Sequence, residues 1–208
     1  MTSFIKEYKN QFSDELCHRL IQILENNIIS GNSHTGTLGG DSRSDLSKKD
    51  SIDLDLLVGS TDGVDKTLFI NLDTLLYGPV TDYINSYIIS PGGQQNWLTE
   101  GNVREVFVRL QPPKLKKYCS PDQGYHTWHQ DYGPHPIQAK RIVVAMVYLN
   151  DVSEGGETCF FHQNLKIKPQ KGKMVVFPPY FTHMHKGMPP KSNDKYICNF
   201  YLGFTPKM

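Results

Sequence analysis

Apolar residues recur at helical spacing near the start of the chain. Leu16, Cys17, Leu20, Ile21 and Leu24 share one face, the pattern of an amphipathic helix with one side buried. Ser13-Asp14-Glu15 precedes them. Serine can cap free backbone amides and the two acids favour the positive end of the helix dipole, so a helix is expected from about residue 13 to about Asn27. A second helix is expected over roughly 65–76, where Leu68, Leu72, Leu75 and Leu76 align. Gly78-Pro79 is expected to interrupt it. Val80, Tyr83, Ile84 and Tyr87 resume the pattern before Pro91-Gly92-Gly93. Residues 3–12 read as an extended or irregular lead-in.

From residue 102 the period changes to two. Val106, Val108 and Leu110 alternate with Phe107 and Arg109, and Ile142 to Leu149 is an almost continuous apolar run. Thr158 to Phe161, Leu165 to Ile167, Met174 to Phe177 and Tyr196 to Phe204 are further strand candidates, separated by Gly, Pro, Asn or Asp. Many short strands at this spacing predict a sandwich or barrel. The fold class is therefore mainly β (α+β): a helical and loop region over 1–101 supporting a β core over 102–208, within one domain. Residues 30–63 carry weak alternation at Asp45-Leu46-Ser47 and Ile52 to Leu56, and predict a surface loop with an edge strand. Residues 112–117, with Lys114, Lys116 and Lys117, predict a solvated loop.

Composition narrows the function. The 208 residues carry a formal net charge of +1 and no basic block, so a nucleic-acid partner is not expected. No apolar run has the length of a membrane span, and the first residues lack the apolar core of a secretion signal. Four cysteines, at 17, 119, 159 and 198, show no paired spacing, which argues against a zinc site or a disulfide scaffold. Reduced thiols in a cytoplasmic protein are the expectation.

The candidate chemistry is concentrated late in the chain. Six of the eight histidines lie between His126 and His185. In a strand, residues i and i+2 point to one face, so His129 and Asp131 can reach one ion. A distant histidine, His183 or His185, would complete a set of two histidines and one carboxylate, the open arrangement of non-haem Fe(II) oxygenases. Singly, each residue has an ordinary reading: a hydrogen-bonded histidine, a turn aspartate, a core tyrosine.

Jointly they form a recognisable series: Tyr118…Gly124-Tyr125…His129-Gln130-Asp131, then Tyr148-Leu149-Asn150-Asp151-Val152, Gly155-Gly156-Glu157-Thr158, and His185-Lys186-Gly187-Met188-Pro189 ending at Lys195. This series, over roughly residues 103–204, resembles the Fe(II)/2-oxoglutarate-dependent dioxygenases, in their prolyl 4-hydroxylase-like branch. The resemblance implies a double-stranded β-helix (jelly roll) with iron near its mouth. It implies His129, Asp131 and His185 as metal ligands. His185 is favoured over His183 because it opens the His-x-Gly-x-Pro element and precedes Lys195 by ten residues. Lys195 would bind the distal carboxylate of 2-oxoglutarate, since a buried amine is costly unless paired. Tyr148 and Thr158 would help hold that carboxylate. Tyr118 matches the tyrosine of the family's Tyr-x-Pro-Gly element with altered spacing. Trp128 and Tyr132 are expected at the substrate entrance, and Arg109 is a further candidate.

The implied reaction couples O2 and 2-oxoglutarate to hydroxylation of a prolyl residue in a peptide or protein, releasing succinate and CO2, with L-ascorbate as reductant. Aspartate as the third ligand leaves no place for chloride, so hydroxylation is favoured over halogenation. The alternatives are the same chemistry on a free amino acid or small metabolite, or a non-catalytic jelly-roll binding module.

Overall fold

Two antiparallel sheets face each other, and the helices lie on the outside of the larger one. The structure is a computed structural model and describes residues 3–38, 44–88 and 102–205. In chain order the elements are β1 (Lys6–Tyr8), α1 (Asp14–Ile29), β2 (His34–Thr35), β3 (Ile52–Asp55), α2 (Lys66–Tyr87) and α3 (Val103–Val106). Then come β4 (Phe107–Arg109), β5 (Lys114–Tyr118), β6 (Tyr125–His129), β7 (Val143–Tyr148), β8 (Thr158–Phe160) and β9 (Leu165–Ile167). The chain closes with β10 (Met174–Phe177), β11 (His185–Gly187) and β12 (Lys195–Phe204). The large sheet runs β1-β10-β7-β12-β5-β3-β2, with β4 also on β12. The small sheet runs β6-β11-β8-β9.

The apolar run in β7 conceals a strict alternation. Val143, Ala145 and Val147 join the core shared with the helices, together with Leu20, Leu24, Leu68 and Leu72. Val144, Met146 and Tyr148 point between the sheets, beside Phe160, Phe177 and Ile197. A strand buried on both faces reads as continuously apolar because neither face meets water. Strand β12 divides likewise: Cys198, Phe200 and Leu202 pack toward the helices, while Ile197 and Tyr201 face the inter-sheet space. Residues of the N-terminal region thus share one core with the sheet.

Ser13 caps α1 as expected, accepting from the Leu16 amide at 3.2 Å. The second helix departs from expectation. Pro79 lies inside α2 and no break occurs. Proline has no N–H to donate to the carbonyl four residues back, but the Gln11 side-chain amide donates to that carbonyl, Leu75 O, at 2.8 Å. The defect is satisfied from outside the helix.

Three further expectations are corrected. Residues 114–117 are not a solvated loop: β5 pairs with β12 on one side and β3 on the other. Lys117 turns out to Glu25 (2.8 Å) and Asp194 (3.3 Å), and Lys116 turns in and is buried. Asp45-Leu46-Ser47 is no strand, because Asp45 caps a turn, accepting from the Ser47 amide and hydroxyl. Ile52–Asp55 is a strand, but it lies inside β2 rather than at the edge. Among the described residues no helix is long and apolar enough to cross a membrane.

Candidate metal and cosubstrate site

The site lies between the sheets, where the small sheet brings two distant segments together. Strands β6 and β11 pair antiparallel with His129 directly opposite His185, and the two rings are 4.2 Å apart between centroids. β6 ends at His129. The next residues turn back because the Asp131 and Tyr132 amides both donate to Pro179 O, at 3.0 and 2.9 Å. That turn brings Asp131 Oδ2 to 3.6 Å from His185 Nε2. One ligand atom from each of His129, Asp131 and His185 lies within 4.8 Å of the others, close enough to converge on one ion.

Each imidazole is prepared for such a role. His129 Nδ1 bonds Thr127 O at 3.1 Å and His185 Nδ1 bonds His183 O at 3.0 Å. A carbonyl only accepts, so Nδ1 carries the proton and Nε2 keeps its lone pair for a metal. Tyr125 stacks on His129 at 3.4 Å and fixes its plane. Burial, and for His129 the neighbouring His185, push both imidazoles below their ordinary pKa, toward the neutral form. Burial alone would raise the Asp131 carboxyl, but His185, His129 and Arg141 outweigh it and hold it below the usual range.

His183 sits elsewhere. It lies in a 3-10 turn over Phe181–His183. Its Nε2 bonds Ser3 O and its Nδ1 bonds the Thr182 hydroxyl, both at 2.9 Å. With both ring nitrogens engaged, it supports the N-terminal segment rather than the triad.

Lys195 opens β12 opposite Tyr118 of β5 and is 2% exposed. Its ammonium donates to Gly156 O at 3.0 Å and lies 4.6 Å over the Tyr118 ring. Burial lowers it to about 7, against a weak pull upward from Glu157. Gly155 and Gly156 both take positive φ, and a Cβ at Gly155 would collide with the Pro189 carbonyl; the turn that aims Gly156 O therefore requires glycine. Lys195, Tyr118, Thr158 and the triad line one narrow cavity, walled by Met146, Phe177 and Ile197. Tyr148 stands behind it, donating to the Thr158 hydroxyl at 2.7 Å.

These residues fit Fe(II) and 2-oxoglutarate. The donor set is two imidazoles with free Nε2 and one carboxylate. Across the same cavity lies a buried ammonium that, among the described residues, makes one hydrogen bond and no ion pair, so a carboxylate there satisfies a charge the described fold leaves unpaired.

The remaining expected residues divide. Tyr132 is 40% exposed and lines a larger cavity beside the triad. Trp128 does not reach it. Alternation along β6 turns it to the outer face of the small sheet, edge-on to Phe161 (5.2 Å) with Lys186 Nζ 4.8 Å over its ring. Arg109 is also remote: it pairs with Asp73 through Nε at 2.9 Å and lies over Phe69 at 4.9 Å. Sequence reasoning missed Lys116, Arg141 and Asn199. The signal for Lys116 was present, since Lys114, Lys116 and Tyr118 alternate with Leu115 and Lys117.

Comparison with known proteins agrees with this geometry. The model of the 2OG-Fe(II) oxygenase superfamily matches residues 113–203, the stretch holding the triad and Lys195. A protein of Acanthamoeba polyphaga mimivirus, provisionally named a prolyl 4-hydroxylase, is 34% identical over 138 residues, covering 52% of this chain and 57% of that one. Prolyl 4-hydroxylase 13 of Arabidopsis thaliana is 27% identical over 120 residues, covering 47% of this chain and 42% of that one. The chain spans about half the length of these curated relatives.

Among solved structures, a Trichoplax adhaerens prolyl hydroxylase in complex with a hypoxia inducible factor peptide superposes with a TM-score of 0.72 at 17% identity, covering 97% of this chain and 84% of that one. The viral collagen prolyl hydroxylase of Paramecium Bursaria Chlorella virus-1, in its 2-oxoglutarate complex, gives 0.61 at 21% identity, covering 96% and 95%. The fold is the jelly-roll core of the prolyl hydroxylases. Over residues 113–203 the chain is similar to the 2OG-Fe(II) oxygenase superfamily, and the relatives and solved structures it resembles carry prolyl hydroxylase names.

Proposed function

We propose that the protein is an Fe(II)- and 2-oxoglutarate-dependent hydroxylase of prolyl residues in a peptide or protein. The observation that carries this reading is one cavity holding His129, Asp131 and His185 at one side and the buried ammonium of Lys195 at the other. Bound Fe(II), with 2-oxoglutarate and O2, supplies the oxidising power for hydroxylation, and succinate and CO2 leave as by-products.

The chain's own residues bind, orient and exclude water. The triad covers one face of an ion and leaves the opposite positions open. Lys195 takes the distal carboxylate, and the Thr158 hydroxyl, held by Tyr148, adds a hydrogen bond beside it. The Tyr118 ring covers the ammonium and limits its hydration. Met146, Phe177 and Ile197 form the apolar part of the cavity wall. Tyr132 lies at the mouth, where substrate enters.

The test is succinate formation with Fe(II), ascorbate, 2-oxoglutarate and a panel of proline-containing peptides, with mass spectrometry of the peptide. The expected result is one hydroxylated residue per succinate. Binding of metal and 2-oxoglutarate without peptide-stimulated turnover on any panel member would overturn the proposal.

A further inference from the structure

A cavity of about 220 Å3 opens beside the metal cavity and shares Lys116, Tyr125 and Asp131 with it. Four cations line it, Lys49, Lys114, Lys116 and Arg141, against two carboxylates, Asp53 and Asp131. Asp131 belongs to the triad. Asp53 is fully engaged, accepting from Lys49 Nζ at 2.7 Å and from the Ser51 hydroxyl at 2.8 Å. Lys114 pairs with Asp55 at 3.3 Å. Arg141 donates to Asp131 O and to Gln111 Oε1, both at 2.8 Å.

Lys116 differs from the others. It is 6% exposed, and among the described residues its ammonium makes no hydrogen bond or ion pair. Its position on β5 turns it inward, into the wall between the two cavities. Burying an ammonium with no hydrogen-bonded partner is costly, and burial pushes this group below its ordinary pKa against the upward pull of the more distant Asp53 and Asp131 carboxylates. A binding partner that brings one negative charge removes that cost. Lys195 already serves the far end of the cosubstrate passage, so a second, separate anion is implied.

We propose that this cavity is an anion subsite for the substrate, receiving an aspartate or glutamate side chain close in sequence to the reacting residue, with Lys116 as its main contact. The inference rests on the hydroxylase reading for the identity of the substrate. The shared wall puts the anion beside the metal, and a chain extends at most about 3.6 Å per residue, so the acid lies within one or two positions of the reacting residue. One uncommitted ammonium matches one carboxylate, which favours an acidic side chain over a doubly charged phosphate.

The experiment measures binding, not turnover. Protein loaded with Mn(II) and N-oxalylglycine, an inert cosubstrate analogue, is titrated with end-blocked fluorescent peptides containing one proline next to Asp or Glu, or next to Asn or Gln. The expected result is at least tenfold tighter binding of the acidic peptides, a margin lost in Lys116→Met and partly kept in Lys116→Arg. Equal affinity for acidic and amide peptides overturns the proposal. So does a Lys116→Met protein that keeps the preference but binds 2-oxoglutarate more weakly, because the ammonium then serves the cosubstrate. A further peptide carries its only charge on a carboxylate terminus beside proline; tighter binding of it than of its amide keeps the subsite and assigns the charge to the chain end. Acidic peptides that bind but are never hydroxylated would sink the hydroxylase reading and leave the subsite standing.

Discussion

His185 faces His129 directly across the β6–β11 ladder, and each ring is aimed by a carbonyl two residues earlier in the chain, His183 O in the 3-10 turn before β11 and Thr127 O within β6. The same i−2 carbonyl contact therefore orients both imidazoles, from a strand in one case and a turn in the other. His185→Ala and His129→Ala are expected to abolish Mn(II) binding by calorimetry, exceeding the roughly 10–100-fold loss typical of residues that merely support a ligand. His183→Ala is expected to keep the metal and lose about 1 kcal/mol of stability with its bond to Ser3 O. Retention of metal by His185→Ala together with its loss in His183→Ala would reverse the assignment.

If Lys195 holds the cosubstrate as proposed, cosubstrate affinity is expected to depend on pH. Its folded-state pKa is lowered to about 7 by burial, whereas an exposed lysine titrates near 10.4. Only the charged form pairs with a carboxylate. Affinity for 2-oxoglutarate is therefore expected to be full below about pH 7 and to fall as pH rises above it, approaching tenfold per unit. For the metal-free protein the sign is opposite. Between about pH 7 and 10.4 the unfolded chain holds the extra proton, so this group adds stability as pH rises through that window. Calorimetry from pH 6 to 9 reads the first effect. A flat profile in the wild type, or a sloping one in Lys195→Arg, which stays charged, counts against the role given to Lys195.

The Lys49–Asp53 pair is buried on both sides. The two shifts pull differently: burial and Lys116 lower Lys49 to about 8, while Asp53 stays below its usual range because Lys116 and Lys49 outweigh its burial. The close 2.7 Å contact makes a charged pair the better description. Lys49→Met is expected to cost about 3–5 kcal/mol in urea denaturation, because a buried carboxylate loses its partner, and Lys49→Met/Asp53→Leu is expected to recover part of that. A single variant within 1 kcal/mol of wild type would mean that Lys116 already neutralises Asp53.

Arg109 and Trp128 supply the negative control. Arg109→Ala removes a partly exposed pair with Asp73 and is expected to cost about 1 kcal/mol or less. Trp128→Ala loses contacts on the outer face of the small sheet. Both are expected to leave peptide KM unchanged; a severalfold rise in either would return that residue to the substrate path.

Much of this was legible in the sequence, and the failures have physical causes. The strands of the later half of the chain and the Ser13 cap follow from periodicity and capping chemistry, and the gathering of His129, Asp131, His185 and Lys195 follows from the ordered motifs of the family resemblance; the strands β1 to β3 that complete the large sheet were not legible as part of it. Pro79 misled because its orphaned carbonyl is satisfied by Gln11, a partner 64 residues from Leu75 that no local reading can supply. β5 misled because lysines usually signal solvent. Here Lys116 points between the sheets, Lys117 reaches acids on the far side, and only the alternation with Leu115 and Tyr118 betrayed a strand. Trp128 was placed one residue from His129 and was sent to the opposite face by the pleat.

Strand β12 carries this logic to its limit. Lys195, Ile197, Asn199 and Tyr201 look into the reaction space and Cys198, Phe200 and Leu202 look into the helical layer. Insertion or deletion of one residue ahead of Cys198 would exchange the two sets, driving an ammonium into hydrocarbon and apolar side chains into the passage. The strand tolerates spelling changes but not a shift of frame, so variation among functional versions of this chain should be confined there to substitutions, with any change of length displaced into the turns that flank it.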